Sequence, residues 1–446
     1  MPESSTSKSN PNPDQQKLTS SDRKLLLSLQ EISFQYFLYE YDKDTGLIAD
    51  KTIRGWPASI AASGLGLSSY MIGVERGLIE RSEAARRTLT LLRFLWNSPQ
   101  GKSKKASGYK GFFYHFLDMK TGERAFRCEL STIDSAILMA GALSAGQYYR
   151  EDSQEEAEIR RLADQLYRRV DWDWARNGKA LLCHGWRPET GFLPYQWDCY
   201  DESLLLYLIA LGSPTHSIPK ESFLATVKGY PVKKIYGHEY VYAGPLFIHQ
   251  YPQVWIDFRG IQDDFMRQHD LTYFENSRRA TLIQQEYARR NPREYQGYGP
   301  HVWGFTASDG PGPTALRIDG VERIFYDYIA RGAPYGPDDG TVAPWAVAAS
   351  LPFAPDVVLP TLRHFQSLQL HQNPYGYKAS YNATFPAKGR NPYGWTSAYH
   401  FGINQGPIVL MIENYLSEQL WKLMRGCEAV KTGLQRAGFK GGWLEG

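Results

Sequence analysis

Residues 200–212 read YDESLLLYLIALG. Wound at 3.6 residues per turn, this stretch is apolar on every face, and a helix apolar all round must be buried all round. The pattern recurs in STIDSAILMAGALSAG at 131–146, TVAPWAVAASLP at 341–352 and GPIVLMIENY at 406–415. Helices of a second kind lie among these. SEAARRTLTLLRFLWN at 82–97, EEAEIRRLADQLYRRV at 155–170 and DVVLPTLRHFQSLQL at 356–370 keep their apolar residues on one face, as with Val358, Leu362, Phe365 and Leu368. Such helices cover a core from one side. The two kinds alternate: SIAASGLGLSSYMIGVERG, from Ser59, precedes the helix at 82, that at 131 precedes 155, and that at 341 precedes 356. Because consecutive elements tend to be neighbours, a buried helix followed by a covering one, repeated over roughly eleven or twelve helices, predicts two concentric rings. The expected fold is therefore all-α, an (α/α)6 barrel (toroid). Strand signals are short. KIYGHEYVYAG at 234–244 reads as a small hairpin, and short β-hairpins are expected in the loops at one mouth.

No composition break divides the chain after its first residues. MPESSTSKSNPNPDQQKLTS is rich in Ser, Pro, Asn and Gln, which predicts a disordered tail over 1–20 and one catalytic barrel domain over 21–446. Lys plus Arg number 50 against 47 for Asp plus Glu, a net charge of +3, with no basic stripe, so a nucleic-acid partner is not expected. No window approaches the roughly 18 apolar residues of a membrane helix, so no membrane partner is expected either. The tail lacks the apolar run of a secretory signal, and the four cysteines, without a CxxC pair in so long a chain, read as free thiols; a cytoplasmic location is expected. Neither HExxH nor another metal-ligand spacing is present, nor GxxxxGK[ST], nor a clean GxGxxG, so no metal and no cofactor are expected.

Aromatic residues make up 14% of the chain. They suit either a large core or a cleft for a flat, hydroxyl-rich ligand such as a sugar. Many lie in the long connections GYKGFFYHF (108–116), HGWRPETGFLPYQWDCYDE (184–202), HQYPQVWIDFRG (249–260), YGPHVWGFTASDGPGP (298–313) and NPYGWTSAYHFGINQG (391–406). In a toroid these loops would rim one mouth, with Trp56, Trp197, Trp303 and Trp395 as candidate stacking platforms. Glu202 opens an apolar helix. Its plainer role is to complement the helix dipole; its other role is a desolvated general acid among Tyr195, Trp197 and Tyr200, kept protonated near neutral pH. Ser131-x-x-Asp134 resembles a capping box, yet Asp134 would also face the ring interior, with Glu129 just before the same helix. Two carboxylates across a cleft are the minimum for glycosidic hydrolysis. Asp201, His249, Asp257, Arg259 and Asp309 complete the candidate hydroxyl-binding set. The plainer readings are a structural ion pair for Arg259 and a turn for Asp309.

The stretches ELSTIDSAILMAGAL (129–143), YDESLLLYLIALGSPTH (200–216), WIDFRGIQDDF (255–265), YFENSRRAT (273–281), WGFTASDGPG (303–312), DDGTVAPWAVAASLPF (338–353) and INQGPIVLMIENY (403–415) resemble the bacterial glucoamylase-like domain. That group includes the endo-β-1,2-glucanases of glycoside hydrolase family 144 and the central domain of cyclic β-1,2-glucan synthases. The resemblance runs from about residue 25 to about residue 430 of the chain. It implies an (α/α)6 barrel and action on β-1,2-linked glucan, not starch. By motif position it makes Glu202 and Asp134 essential and Glu129 a substrate contact. A second acid expected just before the Asp134 position has no counterpart, since Leu130 and Ser131 stand there. The family holds both inverting hydrolases and retaining transglycosylases. The expected activity is thus β-1,2-glucan hydrolysis, endo-acting. A transglycosylase, an exo-acting sophorose-releasing hydrolase and a non-catalytic carbohydrate-binding toroid are the alternatives, and a Glu202 exposed to solvent or locked in a salt bridge would favour the last.

Overall fold

The computed structural model of the protein describes residues 18–386 and 393–445. Residues 1–17, most of the expected tail, lie outside the described residues. Thr19 already caps the first helix, its hydroxyl accepting from the Asp22 amide at 3.1 Å.

In chain order the α-helices are α1 (Ser20–Tyr39), α2 (Ile60–Glu75), α3 (Arg81–Asn97), α4 (Thr132–Tyr148), α5 (Gln154–Arg169), α6 (Ser203–Leu211), α7 (Lys220–Val227), α8 (Leu246–Trp255), α9 (Asp264–Gln268), α10 (Tyr273–Arg290), α11 (Pro344–Ala349), α12 (Pro355–Ser367), α13 (Gly402–Leu416), α14 (Gln419–Arg425) and α15 (Glu428–Ala437). Strands are short antiparallel pairs between them. Among the described residues there are 15 α-helices, more than the expected eleven or twelve, because short segments such as α7, α9 and α14 are too brief to show a period.

Every residue of α6 is buried, and so is every residue of α11 and nearly every residue of α2, α4 and α13. By contrast α3 and α5 bury one face. The buried helices contact one another in a circuit: α2 touches α4, α4 touches α6, α6 touches α8, α8 touches α11, α11 touches α13, and α13 returns to α2. Around them α1 packs on α13, α3 on α2, α5 on α4, α15 on α6, α10 on α8 and α12 on α11. The core fills the space within and between these two sets. Each fully buried Leu or Ile in it contributes roughly 1.5–3 kcal/mol.

Two glycines bring α2 and α4 together. A Cβ on Gly141 would lie 2.1 Å from the Gly64 carbonyl oxygen, and one on Gly64 would lie 2.6 Å from that of Ile137. Deeper in, Ser68 Oγ lies 2.8 Å from Ser144 Oγ and accepts from Trp255 Nε1 at 2.9 Å, tying α2, α4 and α8 with satisfied polar groups.

Two readings of the loops change. The connection at 249–260 is helix as far as Trp255, since α8 accommodates Pro252 inside it. Proline costs a helix one hydrogen bond and normally marks a break, which hides the element in the sequence. The hairpin at 234–244 forms as Val232–Ile235 against His238–Val241, with Tyr236 and Gly237 both at positive φ in its turn. A second hairpin, Thr314–Ile318 against Val321–Phe325, turns at Asp319-Gly320. That dipeptide is a strong hairpin signal. No described helix is long and apolar enough to cross a membrane.

Candidate active site

All six helices of the inner circuit present their N-terminal ends to one cavity of about 290 Å³. Ala61 of α2, Asp134 of α4, Glu202 at the start of α6, Phe247 and Tyr251 of α8, Trp345 of α11, and Ile403 and Asn404 of α13 all line it. Helix N-termini carry positive partial charge, so this mouth favours anionic side chains. The two sequence-predicted catalytic carboxylates, Glu202 and Asp134, share this cavity.

Glu202 occupies the N-cap position of α6 but makes no cap hydrogen bond. Its neighbour Asp201 does the capping instead, accepting from the Ser203 amide at 2.9 Å. The dipole-complementing role therefore falls to Asp201, which is buried. Glu202 is left half-buried and lining the cavity, where burial, the adjacent Asp201 and the facing Asp134 push its pKa well above the ordinary carboxylate range. No cation offsets its charge. Burial likewise raises Asp201. A carboxyl group in this setting holds its proton near neutral pH, as a general acid requires.

Asp134 does take part in a cap. Ser131 Oγ accepts from the Asp134 amide at 3.2 Å and donates to Asp134 Oδ2 at 2.5 Å. The short serine link fixes the carboxylate where it meets the cavity. Beside it stands His115, with Nδ1 3.1 Å from Glu129 Oε1 and 3.7 Å from Asp134 Oδ2. Burial works against a charge on this imidazole, but Asp134, Glu129 and Asp50 outweigh it and raise the histidine to about 9. Reciprocally the hydrogen bond from His115 draws Glu129 down to about 2 against the cost of burial, and Arg187, 3.5 Å away, adds to this. Asp50, raised by its burial to about 6, accepts from Trp56 Nε1 at 3.1 Å. The cavity thus pairs a protonated carboxyl on one side with an ionised carboxylate–imidazolium cluster on the other.

The remaining predicted residues divide. Trp56 and Asp309 are half-buried and are not among the residues lining the cavity. Trp56 carries Lys51 Nζ 4.3 Å over its ring, and Asp309, close in sequence to the lining residue Ala307, accepts from Ser397 Oγ at 2.9 Å. Trp395 is half-buried in a short strand opposite Asn382. Others are not brought to the cavity. Trp303 is fully buried and donates to Thr361 of α12 at 2.9 Å, so it is a core residue. Trp197 is buried, stacked on His184 at 3.8 Å, and buttresses α4 by donating to Thr132 at 3.0 Å. His249 is buried in α8 between the Ala243 carbonyl and the Tyr200 hydroxyl, and burial lowers it to about 4. Asp257 and Arg259 follow the C-terminal end of α8, away from the cavity. They pair there with each other, with Arg425 and with Glu418, the structural ion pair that the plainer reading expected.

Sequence reasoning missed His115, Asp50, Tyr251, Tyr328, Trp345 and Asn404. His115 sat inside a quoted aromatic loop, but only the fold brings that loop beside Asp134. Tyr251 was hidden with α8, and Trp345 read as one more apolar residue of a buried helix.

The family model described as "Putative glucoamylase" matches residues 194–428. The chain is 28% identical to the exo-β-1,2-glucooligosaccharide sophorohydrolase (non-reducing end) of Parabacteroides distasonis, across 93% of this chain and 58% of that protein. It therefore spans little more than half the length of this curated relative. A solved endo-β-1,2-glucanase from Chitinophaga pinensis, in complex with sophorotriose and glucose, matches with a TM-score of 0.81 at 26% identity over 96% of this chain and 100% of the other. A solved β-1,2-glucanase from Parabacteroides distasonis matches with a TM-score of 0.82 at 26% identity, over 94% of this chain and 60% of the other.

Proposed function

The chain belongs to the glucoamylase-like family, and on that premise we propose that it is a glycoside hydrolase of β-1,2-linked glucan, cutting within the chain. The observation that carries this reading is the Glu202 carboxyl: uncapped, unpaired with any cation, protonated by its surroundings and facing Asp134 across one cavity. The circuit of six buried helices with a second set outside supports an (α/α)6 toroid, acting as one catalytic domain.

In the proposed reaction Glu202 gives its proton to the departing glycosidic oxygen, directly or through a substrate hydroxyl. Asp134, fixed by Ser131 beside His115, orients the sugar or takes the proton relayed from the attacking water. Glu129 keeps His115 charged and in place. Trp345 and Tyr251 offer ring surface to the pyranose, Tyr328 a ring and a hydroxyl, and Asn404 a side-chain amide.

The curated relative's name favours a second reading, exo-release of the disaccharide. Incubating the purified protein with linear β-1,2-glucan separates the two. A ladder of short oligomers is expected, while sophorose alone means exo action and longer or cyclic glucans mean transfer. Unchanged glucan would overturn the assignment. All four cysteines are unpaired thiols, with Cys199 exposed, which supports a reducing, cytoplasmic setting and hence turnover of imported or newly made glucan.

A further inference from the structure

Phe126 is 60% exposed. It and Arg127 are consecutive non-glycine residues in left-handed backbone, at φ 53° and 52°. Both features are unfavourable, one for an apolar ring and the other for a side-chain-bearing residue, and such strain persists only where its surroundings over-determine it. Here Arg124 supplies that constraint. Its guanidinium donates to the carbonyls of Cys128 at 2.5 Å and Arg127 at 2.6 Å and pairs with Glu189 at 2.8 Å. The Ala125 amide ties the same loop to Phe116 at 3.0 Å.

The ring is also backed. Trp56 lies behind it at 5.0 Å between centroids and Phe116 at 5.7 Å. Phe116 stacks at 4.0 Å on His115, which lines the cavity. A continuous aromatic path therefore leads from the ion cluster to an outward ring held rigidly in water. One exposed ring falls far short of the roughly 800 Å² per partner of a stable protein interface. It does suit the C–H face of a single pyranose, and rigid aromatic surface gives such contacts at low entropic cost.

We propose that Phe126, backed by Trp56 and Phe116, is the stacking platform of a glucan subsite outside the cavity, holding a glucosyl unit distant from the bond that is cut. This deepens the glucan-hydrolase reading and rests on it.

The test is calorimetric binding of long linear β-1,2-glucan, and separately of β-1,3-glucan, to the Glu202→Gln protein, alone and with Phe126→Ala or Phe126→Trp added. Light scattering and thermal melts accompany each protein. Phe126→Ala is expected to weaken β-1,2-glucan binding about tenfold and Phe126→Trp to keep it within about twofold, at unchanged melting temperature and mass. Equal binding by Phe126→Ala overturns the platform and leaves the hydrolase reading standing; so does a change in mass with affinity unchanged. Phe126-dependent binding of β-1,3-glucan alone upholds the platform and overturns the β-1,2 assignment. Binding of neither glucan overturns both.

Discussion

Glu202 and His115 show opposite effects of the same cavity. Burial dominates at Glu202 because no cation lies beside it, so the neutral acid is favoured. At His115 the facing carboxylates win over burial, so the cation is favoured. Each gives a signed prediction. An acid catalyst loses activity as pH rises through its own pKa, so the alkaline limb of kcat/KM lies well above the ordinary glutamate value of about 4.3. Asp201→Asn keeps a capping oxygen but removes a like charge beside Glu202. Ionisation of Glu202 becomes easier, and the alkaline limb moves to lower pH; a stationary limb would mean that Asp201 does not tune the acid. For His115 the folded value, about 9, exceeds the ordinary histidine value of about 6.5. The stability it contributes is complete below pH 6.5 and is lost as pH rises to about 9. Thermal melts should therefore fall across that window, and in His115→Asn the fall should be shallower; parallel curves would contradict the charge cluster. At this scale the sequence was half legible. The carboxylates at the helix starts could be found because a helix start has a local signature. His115 could not, because its partners Glu129, Asp134 and Asp50 come from two other segments.

The elements explain why two carboxylates separated by 68 positions in the chain meet. Each buried helix begins at the same mouth, so any polar residue in a first turn enters one shared space. Apolar runs marked α2, α4, α6, α11 and α13 plainly in the sequence, because burial on all sides leaves no polar face to confuse the period. The sixth, α8, was concealed by Pro252 and by polar His249, Gln250 and Gln253, whose side-chain N–H groups find carbonyl partners only within the assembled core. The approach of α2 to α4 rests on backbone meeting backbone at Gly64 and Gly141. Gly141→Ala puts a methyl into the Gly64 carbonyl and cannot be relieved by turning a side chain. It should destabilise the protein by about 1–3 kcal/mol in chemical denaturation, despite alanine's better helix propensity. A neutral or stabilising result would mean that the two helices separate freely.

At the scale of the whole molecule, the alternation of buried and covering helices was the most legible feature, since it repeats and needs no long-range information. What closes the circuit, the α8 contacts with α6 and α11, was not legible, nor was the division of the aromatic residues between core and rim. Trp197 and Trp303 look like sugar platforms in a sequence and are structural in the fold. On the proposed reading, the circuit works by sheltering one acid from water at a cavity that receives a chain of sugars. That claim is tested most directly by comparing turnover of linear β-1,2-glucan by the unaltered protein and by Glu202→Gln, with circular dichroism and melting temperature recorded for both. The account predicts unchanged folding and a loss of at least about 10²-fold in kcat; near-equal turnover by the Gln variant would contradict it.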